Sequence, residues 1–77
     1  MKKVTIYSTP TCTYCGKAKE LFKEKGIEFT EHNVAADGAR RSEMIELSGQ
    51  MGVPVITVDN DLVIGFNKPV LEKLLGI

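Results

Sequence analysis

The twelve residues Val4-Thr5-Ile6-Tyr7-Ser8-Thr9-Pro10-Thr11-Cys12-Thr13-Tyr14-Cys15 decide how the rest of the chain is read. Val4 to Tyr7 are β-branched and aromatic side chains that suit a pleated surface, so Lys3 to Ser8 is expected to be a strand. Pro10 has no N–H for a ladder and ends it. Beyond Pro10 the period changes. From Tyr14 to Lys25 the apolar positions Cys15, Ala18, Leu21 and Phe22 recur at helical spacing, charged residues from Lys17 to Glu24 take the other face, and Gly26 supplies the stop. The two cysteines therefore fall between the end of a strand and the first turn of a helix.

Working outward, Glu28 to Val34 reads as a second strand, although only Phe29 and Val34 in it are clearly apolar. Asp37 is placed to cap a helix running to Ser48, with Met44, Ile45 and Leu47 as its apolar positions and Gly49 and Gly52 at its exit. Val55 to Val58 and Leu62 to Ile64 are two short β-rich runs, and the intervening Asp59, Asn60 and Asp61 tolerate turn conformations, so the pair predicts an antiparallel hairpin. Asn67 is a candidate cap for a last helix through Pro69, Val70, Leu71, Leu74 and Leu75, with Pro tolerated in its first turn. The order is βαβαββα. Its first half needs a crossover helix and parallel strands, and its second half adds the hairpin and a closing helix. The expected fold class is therefore α/β, a four-stranded mixed sheet flanked by three helices on both faces.

Composition narrows the function. Seventy-seven residues make one domain spanning 1–77, with 43% hydrophobic and 26% charged residues. Ten Lys plus Arg balance ten Asp plus Glu, so the net charge is zero and the basic footprint of a nucleic-acid or anionic-membrane binder is missing. No apolar run reaches the roughly 18 residues of a membrane span, and the opening does not read as a signal peptide, so a cytoplasmic location is expected. Two cysteines are too few for the framework of a disulfide-stabilised secreted domain.

Cys12-Thr13-Tyr14-Cys15 is thus expected to do chemistry. Unpaired N–H groups and the positive end of a helix dipole favour a thiolate on Cys12, the attacking form of the side chain. Cys15, one turn further in, reaches Cys12 while lying better shielded. Cys12 is accordingly the nucleophile toward a substrate disulfide, and Cys15 resolves the mixed disulfide. A purely structural bridge is the weaker reading, because closing a loop of two residues removes far less entropy than the ~3 kcal/mol of a 15-residue loop. A closed metal site needs two more ligands, and His32 is the single histidine. His32 is expected to be a structural histidine and not a site residue, because its strand is expected to run away from the cysteines.

Three segments together, VTIYSTPTCTYC, the GVPV around Pro54 and the IGF at Ile64 to Phe66, resemble the glutaredoxin family of the thioredoxin fold over nearly the whole chain. The resemblance implies a dithiol thiol-disulfide oxidoreductase acting on disulfide-containing proteins or glutathione mixed disulfides. It further implies a cis peptide before Pro54 and a backbone contact from Val53 to an extended substrate, beside Thr11, Thr13, Tyr14, Gly65, Phe66 and Asn67 as binding positions. A cis X-Pro bond turns the chain sharply, and Pro withholds a donor where a strand-like partner docks. Phe66 has a second reading as a core aromatic at a strand-to-helix junction.

The family pattern is incomplete. Thr13 stands where Pro is usual, Thr9 stands where a basic residue would meet a glutathione carboxylate, and Gly65 is followed by Phe66, Asn67, Lys68 and Pro69 without the usual acidic pair. Arg40, Arg41 and Lys68 are expected to be solvated, with a possible steering role for an acidic partner. The expected reductant is glutathione, with thioredoxin reductase as the rival, as in the donors of ribonucleotide reductase that share the GF pair. No tightly bound cofactor is expected. A 2Fe-2S cluster bridging two chains through Cys12 and glutathione is the binding-module alternative, visible as brown colour after reconstitution. A monomer is expected otherwise.

Overall fold

The computed structural model describes residues 3–77; Met1 and Lys2, the first two positions of the domain expected over 1–77, lie outside the described residues. The elements are β1 (Val4–Ser8), α1 (Thr13–Glu24), β2 (Thr30–Asn33), α2 (Gly38–Ser48), β3 (Val55–Val58), β4 (Asp61–Ile64) and α3 (Lys68–Leu75). The strands form one sheet in the order β2-β1-β3-β4. β1 runs parallel to β2, with Tyr7 beside His32, and antiparallel to β3, with Tyr7 beside Val55; β3 and β4 are antiparallel, with Val55 beside Ile64.

Period-two alternation sorts the sheet into two cores. Val4, Ile6, Ile56, Val58 and Val63 face one way and pack with Ala18, Leu21 and Phe22 of α1 and Leu71 of α3. Tyr7 and Val55 face the other way and pack with Val34 and with Met44 of α2. The helices therefore cover both faces, and β1 and β3, buried from both sides, are the apolar strands. β2 is an edge strand with Thr30, Glu31 and Asn33 exposed, which is why its sequence is polar and why it is shorter than the expected Glu28 to Val34.

Each boundary has a local cause. Asp37 caps α2 by accepting from the Arg40 N–H at 3.1 Å, and Asn67 caps α3 by accepting from the Val70 N–H. Past α1, Gly26 takes φ 68° while the Ile27 N–H returns to the Phe22 carbonyl at 2.8 Å, a closure that favours glycine. The hairpin is one residue tighter than expected: Asp61 already pairs with Val58, leaving Asp59 and Asn60 as the turn, with Asp59 at φ 54°. Asp59 is secured by two bonds to Lys3, its N–H donating to the Lys3 carbonyl and its carboxylate accepting from the Lys3 N–H, each at 2.8 Å.

Leu47 departs from its expected place in the core and is 50% exposed. The inward face of α2 runs through Met44, Ser48 and Ile45, the last two half-buried, and Leu47 lies on the far side of Met44, roughly 100° round the helix from the middle of that face. Leu62 and Ile64 on the outer strand β4, paired with Thr57 and Val55, are exposed as well.

Candidate active site

The register brings three stretches to one end of the sheet. β1 leads out at Ser8, β3 enters from Pro54, and β4 leaves at Ile64, so the loop carrying the cysteines, the Val53-Pro54 segment and the Gly65-Phe66-Asn67 segment converge. The Gly65 N–H donates to the Pro54 carbonyl at 2.8 Å, tying the second and third stretches together. The Val53–Pro54 peptide is cis, as the resemblance implied, and Pro54 itself is buried.

Cys12 is the N-cap of α1. Its sulfur accepts the Cys15 N–H at 3.2 Å, the place a Ser or Asp oxygen takes in an ordinary helix cap. The Cys12 N–H is itself held by the Thr9 carbonyl at 3.2 Å, so the loop before the helix closes as a turn. Cys12 and Cys15 are joined as a disulfide with Cα atoms 5.2 Å apart, within the range such bridges span. The two sulfurs are unequal in access: Cys12 is partly exposed, whereas Cys15 is 0% exposed and belongs to the interior.

Around the pair the expected binding residues divide. Thr11, Thr13 and Tyr14 are exposed on the loop and first turn, and Val53 and Gly65 are partly exposed beside Pro54. Asn67 reaches the same edge, but its side-chain oxygen is engaged as the α3 cap. Phe66 packs partly buried against the larger core, which favours its second reading as a core-filling aromatic.

Tyr14 is 58% exposed, and the Lys17 ammonium lies over its ring, 5.2 Å from the centroid. This contact joins residues three apart on a helix, a spacing that the sequence itself carries.

Two polar links under the site were also missed, because they join residues distant in sequence. Ser8, buried at the end of β1, donates to Glu31 at 2.9 Å, and Lys19 of α1 donates to the same carboxylate oxygen at 2.6 Å. The hydrogen bond from Lys19, with a further one from Ser8, holds the Glu31 carboxyl below its ordinary range. On the other face the buried Tyr7 hydroxyl donates to Glu43 of α2 at 2.9 Å, and Arg40 donates to the other oxygen of Glu43 at 2.7 Å. Arg40 is thus ion-paired at the surface rather than free for steering. His32 lies against Tyr7, ring centroids 5.3 Å apart. Contrary to the expected direction of its strand, His32 lies on a β2 that runs parallel to β1, toward the cysteine end and not away from it.

Burial, then the Glu43 hydrogen bond, push the Tyr7 phenol up to about 12. The unfolded chain ionises near 10, so the stabilisation from the neutral phenol is full below pH 10 and is lost as pH rises toward 12. It amounts to roughly 3 kcal/mol at most. Tyr7→Phe is expected to flatten the alkaline limb of a urea-unfolding profile between those limits. An unchanged limb would remove Tyr7 as its cause.

A small thioredoxin-like fold with a half-exposed cysteine at a helix N-cap and a buried one a turn behind defines a class of dithiol proteins. The chain belongs to the glutaredoxin family, whose model matches residues 4–63. It is 51% identical over 72 residues to an uncharacterized glutaredoxin-like 8.6 kDa protein in the rubredoxin operon of Clostridium pasteurianum, covering 94% of this chain and 96% of that one. Glutaredoxin 3 of Escherichia coli K12 is 44% identical over 59 residues, 77% of this chain and 71% of that one. Among solved structures, a glutaredoxin from Archaeoglobus fulgidus superposes with a TM-score of 0.87 at 25% identity, covering 97% of this chain and 87% of that one. The thioredoxin-like protein BC3987 superposes with a TM-score of 0.88 at 28% identity, over 94% and 99%. Among the described residues no helix is long and apolar enough to cross a membrane.

Proposed function

We propose that the protein is a dithiol oxidoreductase that reduces protein disulfides or glutathione mixed disulfides, with glutathione as its reductant. The observation that carries this reading is the inequality of the two sulfurs: Cys12 is partly exposed and accepts a helix N–H, and Cys15 is enclosed behind it.

In the reduced protein the N–H that Cys12 accepts and the helix dipole stabilise its thiolate. That thiolate attacks one sulfur of a substrate disulfide; a Cys12–substrate bond forms, the substrate S–S bond breaks, and the leaving thiolate takes the electron pair and a proton from solvent. Cys15, after losing its proton, attacks the Cys12 sulfur and expels the second substrate thiolate. The substrate gains two electrons and two protons, and the protein ends as the Cys12–Cys15 disulfide. Two glutathione molecules return the electrons and become glutathione disulfide. Such a cycle belongs to a reducing compartment, so the reading places the protein in the cytoplasm. It acts as a monomer, and Tyr14, Val53 and Gly65 line the approach to Cys12.

The test is NADPH consumption with a glutathione–hydroxyethyl disulfide, coupled to glutathione and glutathione reductase or to thioredoxin reductase. Turnover with glutathione is expected. Turnover only with thioredoxin reductase would replace the reductant while keeping the dithiol chemistry, and turnover with neither would sink the proposal.

A further inference from the structure

We infer that Lys17 is a specificity-determining residue that favours anionic disulfide substrates over neutral and cationic ones; this rests on the dithiol reading above. The stretches that meet at the cysteine end carry no Asp, Glu, Lys, Arg or His at positions 9–16, 49–54 or 65–67. Along the chain, the first formal charges beyond these stretches on the helices that leave them are Lys17 on α1 and Lys68 at the start of α3; Lys19 and Glu31, which lie beside Thr9 and Pro10, are paired with each other.

Lys17 differs from Lys68 in being held. Its ammonium rests over the ring of Tyr14, the exposed aromatic between the two cysteines, and an aromatic face attracts and orients a cation. It also has no carboxylate partner: the ion pairs among the described residues join Lys19 to Glu31 and Arg40 to Glu43. A localised positive charge with no internal counter-ion, beside the residue that flanks the nucleophile, attracts substrates bearing carboxylates near the disulfide. Because the thiolate of Cys12 is itself negative, such a charge also offsets its repulsion of an anionic partner.

The test compares small disulfides of similar size and different charge: dithiodipropionate, bis(hydroxyethyl) disulfide and cystamine. Each is mixed with the prereduced protein at low ionic strength, and the second-order rate constant is read without any coupling enzyme. Lys17→Met is expected to lower the ratio of the dithiodipropionate to the cystamine rate constant roughly three- to tenfold. Lys17→Arg keeps the ratio within about twofold of the parent and Lys17→Glu lowers it further, since the sign of the charge is what matters. Salt near 1 M, where screening acts within about 3 Å, collapses the difference between parent and variant. Equal scaling of all three rate constants in Lys17→Met would overturn the inference, because the lysine would then act through the thiolate or the fold. A larger ratio change in Lys68→Met than in Lys17→Met would move the selectivity to α3 and overturn it as well. If the parent protein reduces none of the three, the dithiol reading itself fails, an outcome distinct from both.

Discussion

Cys12→Ser is expected to bring disulfide reduction down to the uncatalysed background, a loss of roughly a thousandfold or more, while Cys15→Ser retains the first half of the reaction. The asymmetry follows from the geometry. Cys12 presents its sulfur at the helix start and is partly exposed, so removing it removes the atom that attacks. Cys15 is enclosed, and in the proposed cycle it contributes to the second step alone. With the resolving thiol gone, a protein mixed disulfide has nothing to displace it, and the Cys12 adduct accumulates. Steady-state rates together with intact-protein mass spectrometry check both halves. Accumulation of an adduct on Cys15 in the Cys12→Ser protein would reverse the assigned roles.

The second large effect concerns the platform beneath the cysteines. Phe22 is 0% exposed, stands at the centre of the larger core and lies 5.3 Å from the ring of Phe29. Phe22→Ala removes most of a buried ring and leaves a cavity, which costs about 3 to 5 kcal/mol. Small domains have on the order of 5 to 15 kcal/mol in total, so the variant is expected to lose a large share of its stability. At roughly 4 to 8 °C per kcal/mol for a domain of this size, the melting midpoint falls by more than about 12 °C. Leu47→Ala is the internal comparison: the side chain is equally apolar but half exposed, and its effect is expected to stay within about 0.5 kcal/mol. A similar loss at the two positions would contradict the division of faces described above. Phe22 and the cysteines share α1, so destabilisation at Phe22 is also expected to loosen the cap on Cys12, read as faster amide exchange at Cys15 and Gly16.

The order of elements and the position of the cysteine pair were legible in the residues because both rest on short-range rules. Strand and helix periods, the caps at Asp37 and Asn67, and the stop at Gly26 are decided by neighbours within about a turn. The same locality made the difference in access between Cys12 and Cys15 readable, since a residue opening a helix and one three further on differ in access wherever the helix packs.

Features that depend on what lies opposite a residue were decided by the tertiary structure. The short β2 is an edge strand, and its place next to β1 turns His32 toward the cysteine end instead of away from it. Leu47 is apolar at a helical position, yet the angle at which α2 meets the sheet leaves it in solvent. Phe66 is drawn into the core by the way α3 returns across the sheet. The Tyr7–Glu43 and Ser8–Glu31–Lys19 links join segments 36, 23 and 12 residues apart, and no local pattern announces a hydrogen bond at that separation. Propensity and capping act along the chain, whereas burial and pairing are properties of the packed whole; the amino-acid order therefore specified the elements and their chemistry, and packing specified which side chains became core, bridge or approach to the sulfur.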